Sequence, residues 1–256
     1  MTATAAGPLP RGFRLVAVDR VESTMDLARG LAEEGAPDGT LVWAQAQTAG
    51  RGRRGRAWES PRGNLYCSLL LRPGCRLADA SQLSFVAALA IADAVAASLP
   101  DGVPVSLKWP NDVLADGAKV SGLLLEAETD GAGGADWVVL GIGINVAAAP
   151  SGTPYPAACL ADLGCDAPAA VVLGRLAGAL GRRLALWRAD GFGPVRAEWL
   201  SRARGVGGPV AVRLPDRTLD GVFRDLDADG ALVLSTPDGR TARVGAGDVF
   251  FPGPEG

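Results

Sequence analysis

Apolar and polar positions alternate, cluster and recur at helical spacing in turn along this chain, and each change of rhythm predicts an element. A lead-in, residues 1–12, reads as disordered, and "FRLVAV" at 13–18 has strand character. In "ESTMDLARGLAEEG" Ser23 or Thr24 can cap a helix, Asp26 falls in its first turn and Gly35 stops it. "TLVWAQAQ" (40–47) and "NLYCSLLLR" (64–72) predict two strands, the second buried. Residues 79–99 are apolar over most of a helical surface, which predicts a central helix. "VSLKWPNDVL" reads as a strand that breaks at Pro110, and 119–128 with 136–146 as an antiparallel pair turning at "TDGAGGA". Residues 168–188 and 191–203 are helical in pattern. After "GVGGP" (205–209) the period shortens, and "VAVRL", "LDGVFRDL", "ALVLST", "TARVG" and "VFF" alternate with "PD", "DADG" and "PDG" turns. The expectation is an α+β domain over 1–205 with a mixed or antiparallel sheet, then a small SH3-like β-barrel over 206–256.

Composition narrows the chemistry. The 256 residues are 48% hydrophobic and 21% charged, as in ordinary globular proteins, and the net charge of −3 argues against nucleic acid as the main partner. With no histidine, a Cys/His zinc site, a His-based triad and a His general base are all excluded. Cys67, Cys75, Cys159 and Cys165 form no C-x-x-C pair. The N-terminal stretch lacks the layout of a secretory signal, and no apolar run reaches transmembrane length uninterrupted. The chain is therefore expected in a reducing cytoplasm. Of its 25 basic residues only Lys108 and Lys119 are lysine. Lysines kept in a chain that otherwise uses arginine mark positions where a compact ammonium is needed, or else are surface survivors.

"TAGRGRRGRAW" (48–58) formally satisfies G-x-G-x-x-G, but a dinucleotide fingerprint also needs a following helix and an acid ending the next strand. Here Pro61 and Gly63 lead into a strand that ends at Arg72. No G-K-[ST] follows, which excludes a P-loop, and the setting between two strands is unlike a disordered RGG tract. What remains is a glycine loop carrying Arg51, Arg53, Arg54 and Arg56, suited to a carboxylate and phosphates that must be brought together. A solvated arginine turn is the plainer alternative.

Taken in order, "STMDLA", "AQTAGRGRRGRAW…GNLYCSLLLRP", "LKWPNDVLADGAKVSGLLLE" and "VVLGIGINV" resemble the bacterial biotin–protein ligases over about residues 20–147, and the β module also fits that family. The resemblance implies a class II synthetase-like fold and a two-step reaction. Biotin and MgATP give biotinyl-5′-adenylate and pyrophosphate; a lysine of a biotin carboxyl carrier protein then takes the biotinyl group. It implies that Lys119 contacts the biotin carboxylate and the α-phosphate, with Arg51 and Asp112 beside the reacting groups. Ser23, Thr24, Met25, Gln47, Gly50, Arg51, Gly52, Arg53, Trp58, Lys119, Gly122 and Gly141 are carried over as biotin-side positions. Arg53, Arg54, Trp58, Asn111, Lys119 and Asn145 are carried over as the ATP side. A neutral urea needs neutral donors and acceptors, which Ser23, Thr24 and Gln47 offer. Three roles stay open for Asp112: orienting Lys119, holding Mg2+, or helping to deprotonate the acceptor amine. Gly122, Gly141 and Gly143 lie where side chains would obstruct a close ligand.

One departure is Met25, where the family usually has asparagine; any contact made by that side chain is lost. Only 22 residues precede Ser23, so the expectation is a monofunctional form without an N-terminal helix-turn-helix domain and without a DNA partner. No lysine follows Lys119, so the chain is not its own carrier. Lipoate–protein ligase chemistry and a non-catalytic biotin-binding relative are the competing readings. Whether the protein is a monomer or a homodimer is not encoded in these motifs.

Overall fold

The computed structural model describes residues 9–153 and 155–251. Among the described residues, twelve strands and four α-helices appear in the order β1 (Arg14–Val21), α1 (Thr24–Glu33), β2 (Thr40–Gln47), β3 (Leu65–Leu71), α2 (Gln82–Ala96), β4 (Val105–Lys108), β5 (Asp112–Ala115), β6 (Ala118–Thr129), β7 (Ala135–Ile144), α3 (Ala169–Asp190), α4 (Phe192–Arg202), β8 (Pro209–Arg213), β9 (Thr218–Leu226), β10 (Leu232–Ser235), β11 (Thr241–Val244) and β12 (Asp248–Phe250). The first seven strands form one mixed sheet in the order β1-β2-β3-β7-β6-β5-β4. Only β1 and β2 pair in parallel, because α1 crosses between them.

Side-chain alternation divides this sheet into two faces. Leu41, Trp43, Leu69, Leu140 and Ile142 point to one side and pack with α2, α3 and α4. Val42, Leu70, Trp137 and Val139 point to the other and take the apolar stripe of α1, Met25, Ala28 and Ala32. Burying both faces accounts for the near-continuous apolar runs of β3 and β7. Arg183 of α3 ties α2 to α4 by reaching Asp93 at 2.8 Å and Glu198 at 2.7 Å.

The last five strands form an antiparallel sheet ordered β11-β10-β9-β8-β12, a meander whose final strand returns to the first. That is the strand order of an SH3-like module. It does not stand apart, since Val210, Phe223, Leu226 and Leu232 join the same core as α2. Its β9–β10 turn presses into the larger domain. Gly230 has φ +83°, and a Cβ there would lie 2.1 Å from the Phe85 ring. The Gly230 carbonyl accepts a hydrogen bond from Trp109 Nε1 at 3.1 Å.

Three expectations need correction. "VSLKWPNDVL" is two strands, β4 and β5, because the chain reverses at Pro110 and pairs Lys108 with Asp112. Within the lead-in, residues 1–8 lie outside the described residues, whereas Leu9 packs on the core and Pro10 accepts a hydrogen bond from Phe13 N. The segment Leu77–Ala96 does have the length and hydropathy of a membrane span, but 67% of its apolar 18-residue stretch is buried inside the protein, as befits a core helix.

Gly230→Ala is expected to cost about 3 kcal/mol, since it combines positive φ with overlap on Phe85. Thermal denaturation should show a fall of roughly 10 °C.

Candidate active site

A cavity of about 360 Å3 opens between the start of α1, the glycine–arginine loop, the β4–β5 turn, strands β6 and β7, and β12 of the C-terminal sheet. Its neutral end is built on the α1 N-terminus. Ser23 caps the helix through Oγ, which accepts from Met25 N at 3.3 Å. Gln47 Oε1 accepts from Thr24 N at 2.8 Å and from Thr24 Oγ1 at 3.1 Å. Ser68 Oγ donates to Thr24 Oγ1 at 2.8 Å, and Gln47 Nε2 donates to Ser60 Oγ at 3.0 Å. This chain of uncharged groups fixes which way the Gln47 amide faces.

The opposite end is charged. Lys119 Nζ lies 2.6 Å from Asp112 Oδ1, and both side chains are largely buried. Asp112 Oδ1 is buried, and the Lys119 ammonium is its partner within the fold. Lys119 also lies 5.5 Å from the ring centres of both Trp58 and Tyr155. Lys108 sits 5.0 Å from the Tyr155 ring centre, so both lysines of the chain flank one aromatic ring. Burial pushes the Lys108 ammonium below its ordinary value, with Lys119 acting in the same sense and Asp112 against it.

The loop folds as a small hairpin: Arg51 bridges Ala57, Trp58 N donates to Gly50 O at 2.9 Å, and Gly52 N donates to Arg56 O at 2.7 Å. Arg54 at its tip has φ 57°, a left-handed conformation costing about 1 kcal/mol in a non-glycine residue. Arg51 pairs with Asp26 at 2.8 Å and Glu126 at 3.5 Å. Arg53 donates to Asn111 Oδ1 at 3.3 Å and to Gly247 O at 3.2 Å. Burial pulls its guanidinium below the ordinary arginine value, and Asp248 opposes that. Arg54 and Arg56 each reach Asp248 at 3.1 Å.

Of the residues singled out in the sequence, Ser23, Thr24, Met25, Gln47, Arg51, Gly52, Arg53, Trp58, Asn111, Asp112, Lys119, Gly122, Gly141 and Asn145 line this one cavity. Gly50 and Arg54 do not. A Cβ at Gly50 would meet Trp58 O at 2.5 Å and Ser60 Oγ at 2.6 Å, so that glycine serves the loop stem. Asn145 is committed through Nδ2 to the Ala158 carbonyl at 3.2 Å, next to Ala157 on the cavity wall. The glycines of β6 and β7 also make room for side chains of this chain. The space above Gly141 holds the Met25 side chain, since a Cβ would lie 2.5 Å from its sulfur, and the space above Gly143 and Gly122 holds the Trp58 indole. Trp58 Nε1 is buried there without a hydrogen-bond partner.

Sequence reasoning missed Tyr155, Ser60, Ser68, Asp26, Glu126 and Asp248. Ser68 carried a readable signal, a hydroxyl inside an apolar buried strand. Asp248 carried none, because it joins the loop across 192 residues of chain.

The matched family models divide the chain as the two sheets do. "Biotin/lipoate A/B protein ligase family" matches residues 17–145, and "Biotin protein ligase C terminal domain" matches 206–251. Fold and cleft thus define a ligase of the biotin/lipoate class. A biotin–[acetyl-CoA-carboxylase] ligase of Paracoccus denitrificans is 40% identical over 240 residues, covering 91% of this chain and 99% of that protein. The corresponding ligase of Mycobacterium tuberculosis is 38% identical over 222 residues, covering 83% and 79%. The solved biotin protein ligase of Aquifex aeolicus, in complex with biotin and ATP, superposes with a TM-score of 0.77 at 30% identity over 93% of this chain and 97% of that one. The chain belongs to the biotin protein ligase family.

Because the Gly143 slot is filled by Trp58, Gly143→Ala is expected to destabilise the protein by about 1–3 kcal/mol through overpacking. In a Trp58→Ala background the same change should cost much less, and a double-mutant cycle by chemical denaturation reads the difference.

Proposed function

We infer that the cleft joins the carboxylate of biotin to the α-phosphate of ATP and then passes the biotinyl group to a lysine of a biotin carboxyl carrier protein. The observation that carries this reading is the Lys119–Asp112 pair, held at 2.6 Å between an uncharged polar end and an arginine loop. A bicyclic urea fits the Ser23–Thr24–Gln47 end. Its carboxylate then extends toward Lys119, and the triphosphate toward Arg51, Arg53 and Lys108.

In the first step a biotin carboxylate oxygen bonds to Pα while the Pα–O–Pβ bond breaks, giving the acyl adenylate and pyrophosphate. Two anions approach each other, so the barrier is largely electrostatic, and each preorganised cation contributes on the order of 3–4 kcal/mol. The Lys119 ammonium is a point charge able to serve the carboxylate and the α-phosphate together. Trp58 and the loop cover the intermediate and exclude water. In the second step an acceptor amine forms the amide bond, AMP leaves, and the amine loses its proton. Asp112 is the carboxylate placed to take part.

Mg2+ fits the same residue. Asp112 is a buried carboxylate on the cavity wall, and a divalent ion of this kind is commonly held by one or two carboxylates together with substrate phosphates. Among the described residues no group of three or more acidic, histidine or cysteine side chains converges, which leaves Asp112 and the nucleotide to supply its ligands. When bound, the ion neutralises phosphate charge.

Domain roles follow the pattern change. Residues 1–205 form the ligase domain and 206–256 the SH3-like module, whose terminal strand completes the cleft wall. The four cysteines are free thiols, in keeping with a reducing cytoplasm.

ATP–pyrophosphate exchange on the purified chain, with biotin and lipoate in parallel, tests the reading: exchange is expected with biotin alone. Exchange with lipoate alone would transfer the chain to the sister activity. Lys119→Ala should lower the exchange rate about 10²–10³-fold, and Lys119→Arg should recover little of it.

A further inference from the structure

The C-terminal sheet places one carboxylate among the loop's arginines. Asp248, the first residue of β12, lies 3.1 Å from Arg54, 3.1 Å from Arg56 and 3.9 Å from Arg53. Gly247 beside it accepts from Arg53 at 3.2 Å. This anchor is rigid. Asp248 is paired in register with Arg213 of β8, and a Cβ on Gly247 would meet Val212 at 2.6 Å, so the backbone is pressed onto its own sheet. The same module is bolted to the larger domain by the Gly230–Trp109 hydrogen bond. At the loop's other end, Arg51 is held by Asp26 and Glu126.

Three guanidiniums on a four-residue span repel one another, and the left-handed Arg54 adds local strain. One carboxylate does not neutralise them; it gathers them and leaves a net positive surface facing the cavity, which Arg53, Arg56 and Asp248 all line. We propose that Asp248 is a positioning residue, a latch by which the C-terminal sheet holds the arginine loop closed over the cleft and preorganised for a polyphosphate. The part of this that concerns ATP rests on the function proposed above; the latch itself does not. Asp248 acts through Arg53, Arg54 and Arg56. It also gives Arg54, which does not face the cavity, a reason for its position.

The test uses the purified full-length chain and three variants, Asp248→Asn, Asp248→Ala and Asp248→Glu. Without substrates, limited trypsin digestion followed by intact-mass analysis reports cutting after Arg51, Arg53, Arg54 and Arg56. Loss of the charge in the Asn and Ala variants should speed loop cutting about tenfold, and Glu should restore resistance. In ATP–pyrophosphate exchange the same two variants should raise KM for ATP about tenfold while KM for biotin stays within about twofold. Unchanged cutting and unchanged KM for ATP would overturn the latch. So would a uniform loss of both affinities with a lowered melting temperature and no rescue by Glu, because that describes general destabilisation. If the unaltered chain shows no exchange with biotin but the cutting rates separate as stated, the latch stands and the ligase reading fails.

Discussion

Bringing two anions into contact requires concentrated positive charge, and concentrated positive charge repels itself. Much of the architecture around the cleft answers that constraint. Three parts of the cationic wall have carboxylate partners: Asp112 of the neighbouring strand β5 for Lys119, Asp26 of α1 and Glu126 of β6 for Arg51, and Asp248 of β12 for the loop tip. The carboxylates are outnumbered around the loop tip, so the site stays electropositive while its cations keep fixed directions. Ordinary surface ion pairs contribute little, but partly buried pairs with several shared partners restrict geometry, and geometry is what an electrostatic catalyst needs.

The uncharged end of the cleft is fixed by a different device. Hydroxyls at the start of a helix are already engaged with a strand amide, so Thr24, Gln47, Ser60 and Ser68 orient one another before any ligand arrives. Beside them the glycines of β6 and β7 create a flat floor, and the chain lays Met25 and Trp58 on it. The buried Trp58 indole nitrogen is left without a hydrogen bond. An unpaired buried polar atom is costly in a folded protein, typically about 1–3 kcal/mol, and this one belongs to a side chain that lines the cleft, where a ligand can satisfy it.

The C-terminal sheet therefore belongs to the site. It shares the hydrophobic core of the larger domain, holds the Trp109 indole through Gly230, and supplies Asp248, Val249 and Phe250 to the cavity wall. The β4–β5 turn and the arginine loop, which come from different parts of the first domain, meet directly through Arg53 and Asn111, and this module touches both.

Sequence by itself determined the elements and most of the cleft. Local periodicity set strands and helices to within a few residues, because burial on one or two faces writes itself into spacing. The ordered motifs named the family, and the scarcity of lysine drew attention to Lys119, because point charge and fork geometry are different chemistry. Tertiary structure alone decided the reversal at Pro110 that sets Lys108 beside Asp112, the filling of the glycine slot by Trp58 and Met25, the turning of Arg54 away from the cavity, and its capture by Asp248. Those outcomes depend on contacts between residues far apart in the chain, and no local pattern of hydrophobicity or turn chemistry encodes which distant carboxylate will meet which arginine.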